Sequence, residues 1–304
     1  MTGLDPPVDD DDLVLAVDVG GTKMAVGLVD AAGRLRWSTR AATPQDGTDP
    51  FAALDRLMDQ VPYGSSPVAC GVGIGGPMTA AGASVSPLNI AAWKNFPLGD
   101  RLAERTGLRT WVDNDAKALA LGEAWVGAAV GRRHFLSMVV STGVGGGIVV
   151  DGRLLDGDDG NAGHIGHVVV EPAGHRCVCG GVGCLEAEAS GTAITAITGR
   201  PPAEADGATR QRTGRLVGRG VASVCNLLDL RLVTVAGSVA LGFGAPFFAA
   251  AQAEMDLRCR LEFSRGAVII PSALGAEGPL LGAAAVARRG LHGLPDVPSG
   301  QVSR

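Results

Sequence analysis

The chain opens on alternating apolar and polar segments. Residues 13–18 (LVLAVD) form an apolar run too short for a helix and stopped by Gly20-Gly21, which predicts a strand. Residues 24–30 (MAVGLVD) and 34–39 predict two more strands, giving a meander with a glycine turn. Helical spacing of apolar positions follows at 50–61, then a strand at 68–74, a helix at 100–106, a short strand at 110–112 and an Ala/Leu-rich helix at 115–126. The opening pattern then returns. Residues 135–141 (FLSMVVS) read as a strand, 142–147 (TGVGGG) as a glycine turn and 148–150 as a strand, followed by a tight turn at Asp151-Gly152-Arg153. The rest alternates: helix 214–228, strand 232–236, helix 247–257, strand 267–271 and helix 279–289.

Strand, glycine turn, strand and Gly-Arg-Leu thus occur twice, about 120 residues apart (AVDVGGTKMAVGLVDAAGRL and VVSTGVGGGIVVDGRL). The repeat implies two similar α/β domains. The boundaries it suggests are an acidic disordered tail at 1–12, an N-terminal domain at 13–121 completed by a C-terminal helix at 279–290, a second domain at 122–278 and a flexible tail at 291–304.

Composition narrows the function classes. Hydrophobic residues make up 46% and charged residues 19%, which excludes a disordered chain. The 46 glycines cluster without a period of three, so collagen is excluded. No apolar run reaches the roughly 18 residues of a membrane span, and the Asp9 to Asp12 run is unlike a signal peptide. A cytoplasmic protein is expected, with no membrane partner. The net charge is −5 and the basic residues are scattered, so nucleic acid is not an expected partner.

Three places carry chemistry. In Asp18-Val19-Gly20-Gly21-Thr22-Lys23 a carboxylate ends a buried strand, and a glycine turn follows whose N–H groups can form an anion nest. The second copy carries hydroxyls at Ser141 and Thr142, so two phosphate-holding hairpins facing a common cleft are expected. No Gly-Lys pair occurs, which removes a Walker A loop, and the Gly71, Gly73, Gly76 match to a dinucleotide fingerprint runs into Pro77 without opening a helix. Next, Asp113-Asn114-Asp115 precedes the strong helix. One such residue suffices as an N-cap, so three in a row point to a general base, with Asp115 preferred. Finally, residues 162–186 hold His164, His167, His175, Cys177, Cys179 and Cys184. Three thiolates and one imidazole make a closed structural zinc set, and the spacing leaves His167 and His175 both open as the fourth ligand.

Together, the two glycine hairpins, the Asn-Asp-Ala helix, the Gly-His-x-Gly-His segment and the Cys-x-Cys-Gly-x-x-Gly-Cys-x-Glu knuckle resemble the ROK family of bacterial sugar kinases and sugar-responsive repressors, over residues 13–289. The resemblance implies the actin-like ATPase (hexokinase/Hsp70-type) fold: two similar α/β domains around a cleft, with a zinc knuckle at 167–184. It implies Asp115 as catalytic base and sugar contacts from Asn89, Asn114, His164, His167 and Glu186. It implies zinc ligation by His167, Cys177, Cys179 and Cys184. Nucleotide contacts would come from Asp18, Gly20, Gly21, Thr22, Lys23, Ser141, Thr142, Gly143, Gly145, Gly146, Gly237 and Ser238, with ATP, Mg²⁺ and structural Zn²⁺ as cofactors. A homodimer or homotetramer is expected on the same ground.

The resemblance has departures. His164 stands where the family's glucokinases commonly carry Glu; a His there resembles bacterial N-acetylmannosamine kinases and also some actinobacterial kinases assigned to glucose. Gly75-Gly76-Pro77-Met78 replaces the usual Pro-Gly, and Asp113 replaces Glu. The repressors' helix-turn-helix domain is not expected, since about twelve residues precede the first strand. The implied activity is phosphorylation of a hexose at its 6-hydroxyl, glucose first and N-acetylmannosamine second, with a non-catalytic sugar sensor as the rival from another class.

Overall fold

The structure, a computed structural model, describes residues 13–79 and 82–292. The acidic segment 1–12 and most of the expected C-terminal tail lie outside the described residues. Two compact units are present. Among the described residues, the first comprises residues 13–118, Asp158–Asn161 and residues 276–292; the second comprises Leu119–Gly157 and Ala162–Gly275.

In the first unit, β1 (Val14–Val19), β2 (Lys23–Val29) and β3 (Leu35–Ala42) form an antiparallel meander. The strands β4 (Ala69–Ile74) and β5 (Thr110–Asn114) then add in parallel on the other side of β1, giving the order β3-β2-β1-β4-β5. β1 and β4 are buried at every position, as near-continuous apolar runs in parallel pairing require. The helices α1 (Pro50–Met58) and α2 (Leu98–Thr106) cover the sheet with Phe51, Leu54, Leu57, Leu98 and Leu102. Each such fully buried side chain contributes about 1.5–3 kcal/mol. α3 (Asp115–Val126) starts directly from the end of β5.

The second unit repeats the plan. β6 (Phe135–Val140), β7 (Val144–Val150) and β8 (Arg153–Leu154) form the antiparallel part, and β9 (Leu232–Ala236) and β10 (Val268–Pro271) add in parallel beyond β6. The order β8-β7-β6-β9-β10 is that of the first sheet strand for strand. The short helices α4 (Leu185–Ala189) and α5 (Gly191–Thr198) precede the long α6 (Gly207–Leu228). Then come α7 (Ser238–Phe243), α8 (Ala245–Arg258) and, in the first unit, α9 (Gly278–His292).

Three differences from the pattern reading have physical causes. α6 begins at Gly207 rather than 214, because Asp206 caps it by accepting from the Thr209 N–H at 2.8 Å. Its Gly214 and Gly218 allow close approach of α8: a Cβ on Gly214 would collide with the Phe247 carbonyl and one on Gly218 with the Ala251 carbonyl. β7 begins at Val144, so Gly145 to Gly147 are strand residues paired with Val139, Met138 and Ser137, and the turn itself is Ser141 to Gly143. The helices α4, α5 and α7 are too short to leave a period in the sequence.

Candidate active site and zinc knuckle

In the first unit the parallel register places Asp18 beside Gly73, and Gly73 beside Asp113. Asp18 is the penultimate residue of β1 and is buried. The turn after it closes through the Gly20 N–H to the Lys23 carbonyl at 2.9 Å. The turn is braced from β3's end: the Thr43 hydroxyl donates to the Gly20 carbonyl at 2.6 Å, and the Gln45 amide donates to the Gly21 carbonyl at 2.9 Å. Asn89 packs on the same turn, so closely that a Cβ on Gly21 would strike its side chain. Asp18, Gly20, Gly21, Thr22, Lys23 and Asn89 therefore form one neighbourhood.

Asp115, the first residue of α3, reaches the same neighbourhood from β5. Burial and the Asp115 charge push the Asp18 carboxyl up to about 7, with Lys23 pulling the other way. Asp115 is exposed, whereas Asp113 is buried. Both Asn114 and Asp115 serve the helix start. The Ala116 N–H donates to Asn114 Oδ1 at 3.0 Å and to Asp115 Oδ1 at 2.8 Å.

In the second unit the turn Ser141 to Gly143 closes through the Ser141 N–H to the Gly143 carbonyl at 2.9 Å. The start of α5 braces it: the Gly191 N–H donates to the Ser141 carbonyl at 2.7 Å and the Thr192 hydroxyl to the Thr142 carbonyl at 3.0 Å. Ser238, the first residue of α7, lies beside this turn, its hydroxyl 3.0 Å from that of Ser141. Gly237 adopts φ 100°, and a Cβ there would run into Val140, so the position demands glycine. Gly145 and Gly146 are set apart from the turn. Gly146 packs against Gly163 and Ile165 and makes room for the segment that carries His164.

Glu186, in α4, accepts from the Val144 N–H at 2.9 Å, and its carboxylate fills the space that a Cβ on Gly143 would occupy. This ties the candidate sugar acid to the second hairpin. His164 and His167 flank the short 3₁₀ turn Ile165–His167, their rings 6.0 Å apart.

The knuckle gathers His167, Cys177, Cys179 and Cys184, whose ligand atoms all lie within 4.8 Å of one another. Cys179 Sγ is 3.7 Å from Cys184 Sγ, and Cys177 Sγ is 3.8 Å from His167 Nδ1. Zn–S bonds of about 2.3 Å at tetrahedral angles give S···S edges of about 3.8 Å, so the donor set fits zinc. Gly183 has φ 73°, and a Cβ there would strike the Glu171 carbonyl. His175, the other imidazole that the spacing left open, is engaged elsewhere. Its Nδ1 lies 2.9 Å from Glu188 Oε1, and Glu188, fully buried in α4, is also paired with Arg212 of α6. Burial pushes the Glu188 carboxyl up, but the His175 N–H and the Arg212 guanidinium outweigh it and hold it below the ordinary range.

The ROK family model matches residues 14–290. The chain belongs to the ROK family. As a ROK protein it has two mixed α/β sheets in the family's actin-like ATPase fold. It is 43% identical to a glucokinase of Thermotoga maritima over 185 residues, 60% of this chain and 58% of that protein. It is 36% identical to an N-acetylmannosamine kinase of Citrobacter koseri over 247 residues, 76% of this chain and 84% of that protein. The match to the Thermotoga relative thus spans less than two thirds of that protein. Among solved structures, a ROK glucokinase from Streptomyces griseus, in complex with glucose and AMPPNP, superposes with a TM-score of 0.80 at 30% identity, covering 91% of this chain and 99% of that one. No helix among the described residues of this ROK protein is long and apolar enough to cross a membrane.

Two residues beside the site escaped the motif reading. Lys117 and Glu188 are both buried and both ion-paired. The available signal was a charge among small and apolar helical residues, Lys117 in DAKALALGEAWV and Glu188 in LEAEA.

Proposed function

We propose that this protein is an ATP-dependent kinase that transfers the γ-phosphoryl group to the 6-hydroxyl of a hexose, with glucose as the acceptor. The observation that carries the reading is the pair Asp18 and Asp115: one buried carboxylate at the end of β1 beside a glycine turn, one exposed carboxylate at the start of α3, close enough to repel. Phosphoryl transfer needs positioning and charge neutralisation more than covalent chemistry. Asp115 would accept the proton of the attacking hydroxyl. Asn89, Asn114, His164, His167 and Glu186 would hydrogen-bond the sugar.

The hairpin N–H groups at Gly20 to Lys23 and Ser141 to Gly143 would hold phosphates, with Gly145 and Gly146 shaping the second hairpin and Gly237 and Ser238 on the nucleotide side. Asp18, whose ionised form is opposed by burial and by Asp115, is a donor that a divalent cation would satisfy, so Mg²⁺ fits there. When bound, Mg²⁺ supplies charge neutralisation to the transferring phosphoryl group. Zinc at the knuckle would be structural, fixing the segment between His167 and Glu186. A homodimer is the proposed assembly.

One observation favours a second acceptor. His164 occupies the position at which the resemblance places a sugar contact, and an imidazole differs from a carboxylate in reach and charge. N-acetylmannosamine is therefore the second candidate. A coupled ADP-release assay over glucose, mannose, N-acetylglucosamine and N-acetylmannosamine tests the proposal. ADP release with glucose above the other three is the expected result. Preference for N-acetylmannosamine would reassign the acceptor, and sugar binding without ADP release from any of them would make the protein a sensor.

A further inference from the structure

We propose that Lys117 is a positioning residue, whose ammonium holds the β5–α3 junction in the geometry that presents Asp115. The proposal rests on the kinase reading above. Lys117 is 2% exposed, and Ala116, Ala118, Ala120 and Leu121 of the same helix are buried with it. Its Nζ lies 3.0 Å from Asp113 Oδ1 and donates to the Gly160 carbonyl at 3.0 Å. Asp113 Oδ1 also accepts from the Asn114 N–H at 2.8 Å, and Asp113 Oδ2 lies 3.4 Å from Arg289 Nη1 of α9. The segment Asp158–Asn161 is fastened a second time, by the Asn161 amide donating to the Met78 carbonyl at 3.1 Å. Four pieces of the first unit thus meet at one buried ion cluster: the end of β5, the first turn of α3, the Asp158–Asn161 segment and α9.

Stability does not account for such a cluster. Taking an ammonium and a carboxylate out of water costs several kcal/mol per ion, and apolar residues of the same shape usually do as well or better. A helix start needs only a side-chain acceptor, and Asn114 already provides one. What an ion pair with two further fixed partners adds is direction. It orients Asp113, whose carboxylate holds the Asn114 N–H, and so fixes the backbone of the two residues that carry Asn114 and Asp115. Small displacements of a reacting group cost rate steeply, which makes this geometry worth its desolvation.

The test uses the full chain and two variants, Lys117→Met and the double variant Asp113→Asn/Lys117→Met, each measured for steady-state kinetics and thermal unfolding. Lys117→Met keeps the apolar stem and removes the ammonium, leaving Asp113 to Arg289 alone. The expected result is a kcat lowered about 10- to 100-fold, with KM for hexose and ATP changed by no more than about twofold. The double variant, which removes the stranded charge, should regain thermal stability without regaining kcat. If kcat returns together with stability, or if Lys117→Met keeps wild-type kcat, the residue is structural and the proposal is overturned. Should the single variant fail to fold, the double variant decides by the same criterion: folded and slow supports it, folded and fast overturns it. Wild-type protein that releases no ADP with any hexose would instead overturn the kinase reading, and this assignment with it.

Discussion

The Asp18 carboxylate and the Asp115 backbone converge on Gly73: the Cβ that Gly73 lacks would lie 4.0 Å from Asp18 Oδ1 and 3.7 Å from Asp115 Cα. The strand register produces this meeting, since Asp18 pairs with Gly73 and Gly73 with Asp113, two residues before Asp115. Two carboxylates brought together at the C-terminal end of parallel strands, one of them buried, are an unfavourable arrangement without a counter-ion. A cationic ligand reverses it.

That arrangement predicts a pH dependence. Burial and the Asp115 charge raise the Asp18 carboxyl from 3.8 to about 7. A group raised on folding contributes stability that is complete below its unfolded value and is lost as pH rises through its folded value. The ligand-free protein should therefore lose stability between pH 5 and pH 8, a part of which disappears in Asp18→Asn. Thermal unfolding at both pH values checks this. The Asp18→Asn protein should show a smaller fall than wild type and should lack turnover; equal falls in the two proteins would contradict the ionisation argument.

Metal removal should act on fold and sugar binding together. With Cys179→Ser, or after a strong chelator, the knuckle loses the tether between His167 and Glu186. The melting temperature should drop by about 2–8 °C, the shift that follows from losing 1–2 kcal/mol in a unit of this size. Sugar affinity should weaken in the same sample. Elemental analysis should find about one zinc per chain in native protein; protein purified without zinc, yet fully stable, would rule out the metal.

Glu188 predicts a purely structural cost. Replacing it with Ala leaves the His175 N–H and the Arg212 guanidinium without their shared acceptor. A loss of about 1–3 kcal/mol is expected, read as a shift in the urea midpoint, with kcat close to wild type once the protein is folded. An undiminished midpoint would show that water replaces the carboxylate without penalty.

Much of this was legible in the sequence because duplication leaves a mark that single motifs do not. The strand–turn–strand repeat at Asp18 and Ser141 announced two sheets, and both sheets have the same strand order. The three cysteines of the knuckle were legible from their spacing, while His167 as the fourth ligand came only from the family resemblance. The His175 alternative remained because spacing carries no direction; the structure gives His175 a carboxylate partner instead. The start of α6 and the length of β7 were not legible. The run of glycines at 145–147 reads as a turn, while Gly145 and Gly146 stand inside β7, where at Gly146 the segment of Gly163 and Ile165 comes close. Lys117 and Glu188 were hidden for a related reason. A charged residue on a helix reads as a solvated face until burial is known.

The most direct test of the central claim is the turnover of Asp115→Asn beside wild type, with glucose and ATP, together with calorimetric glucose binding. Removing a general base costs about 10²- to 10⁴-fold in rate, so ADP release should fall by that factor while glucose affinity is largely retained. Wild-type turnover in Asp115→Asn would contradict the assignment of Asp115 as the base, and with it the chemistry argued for this site.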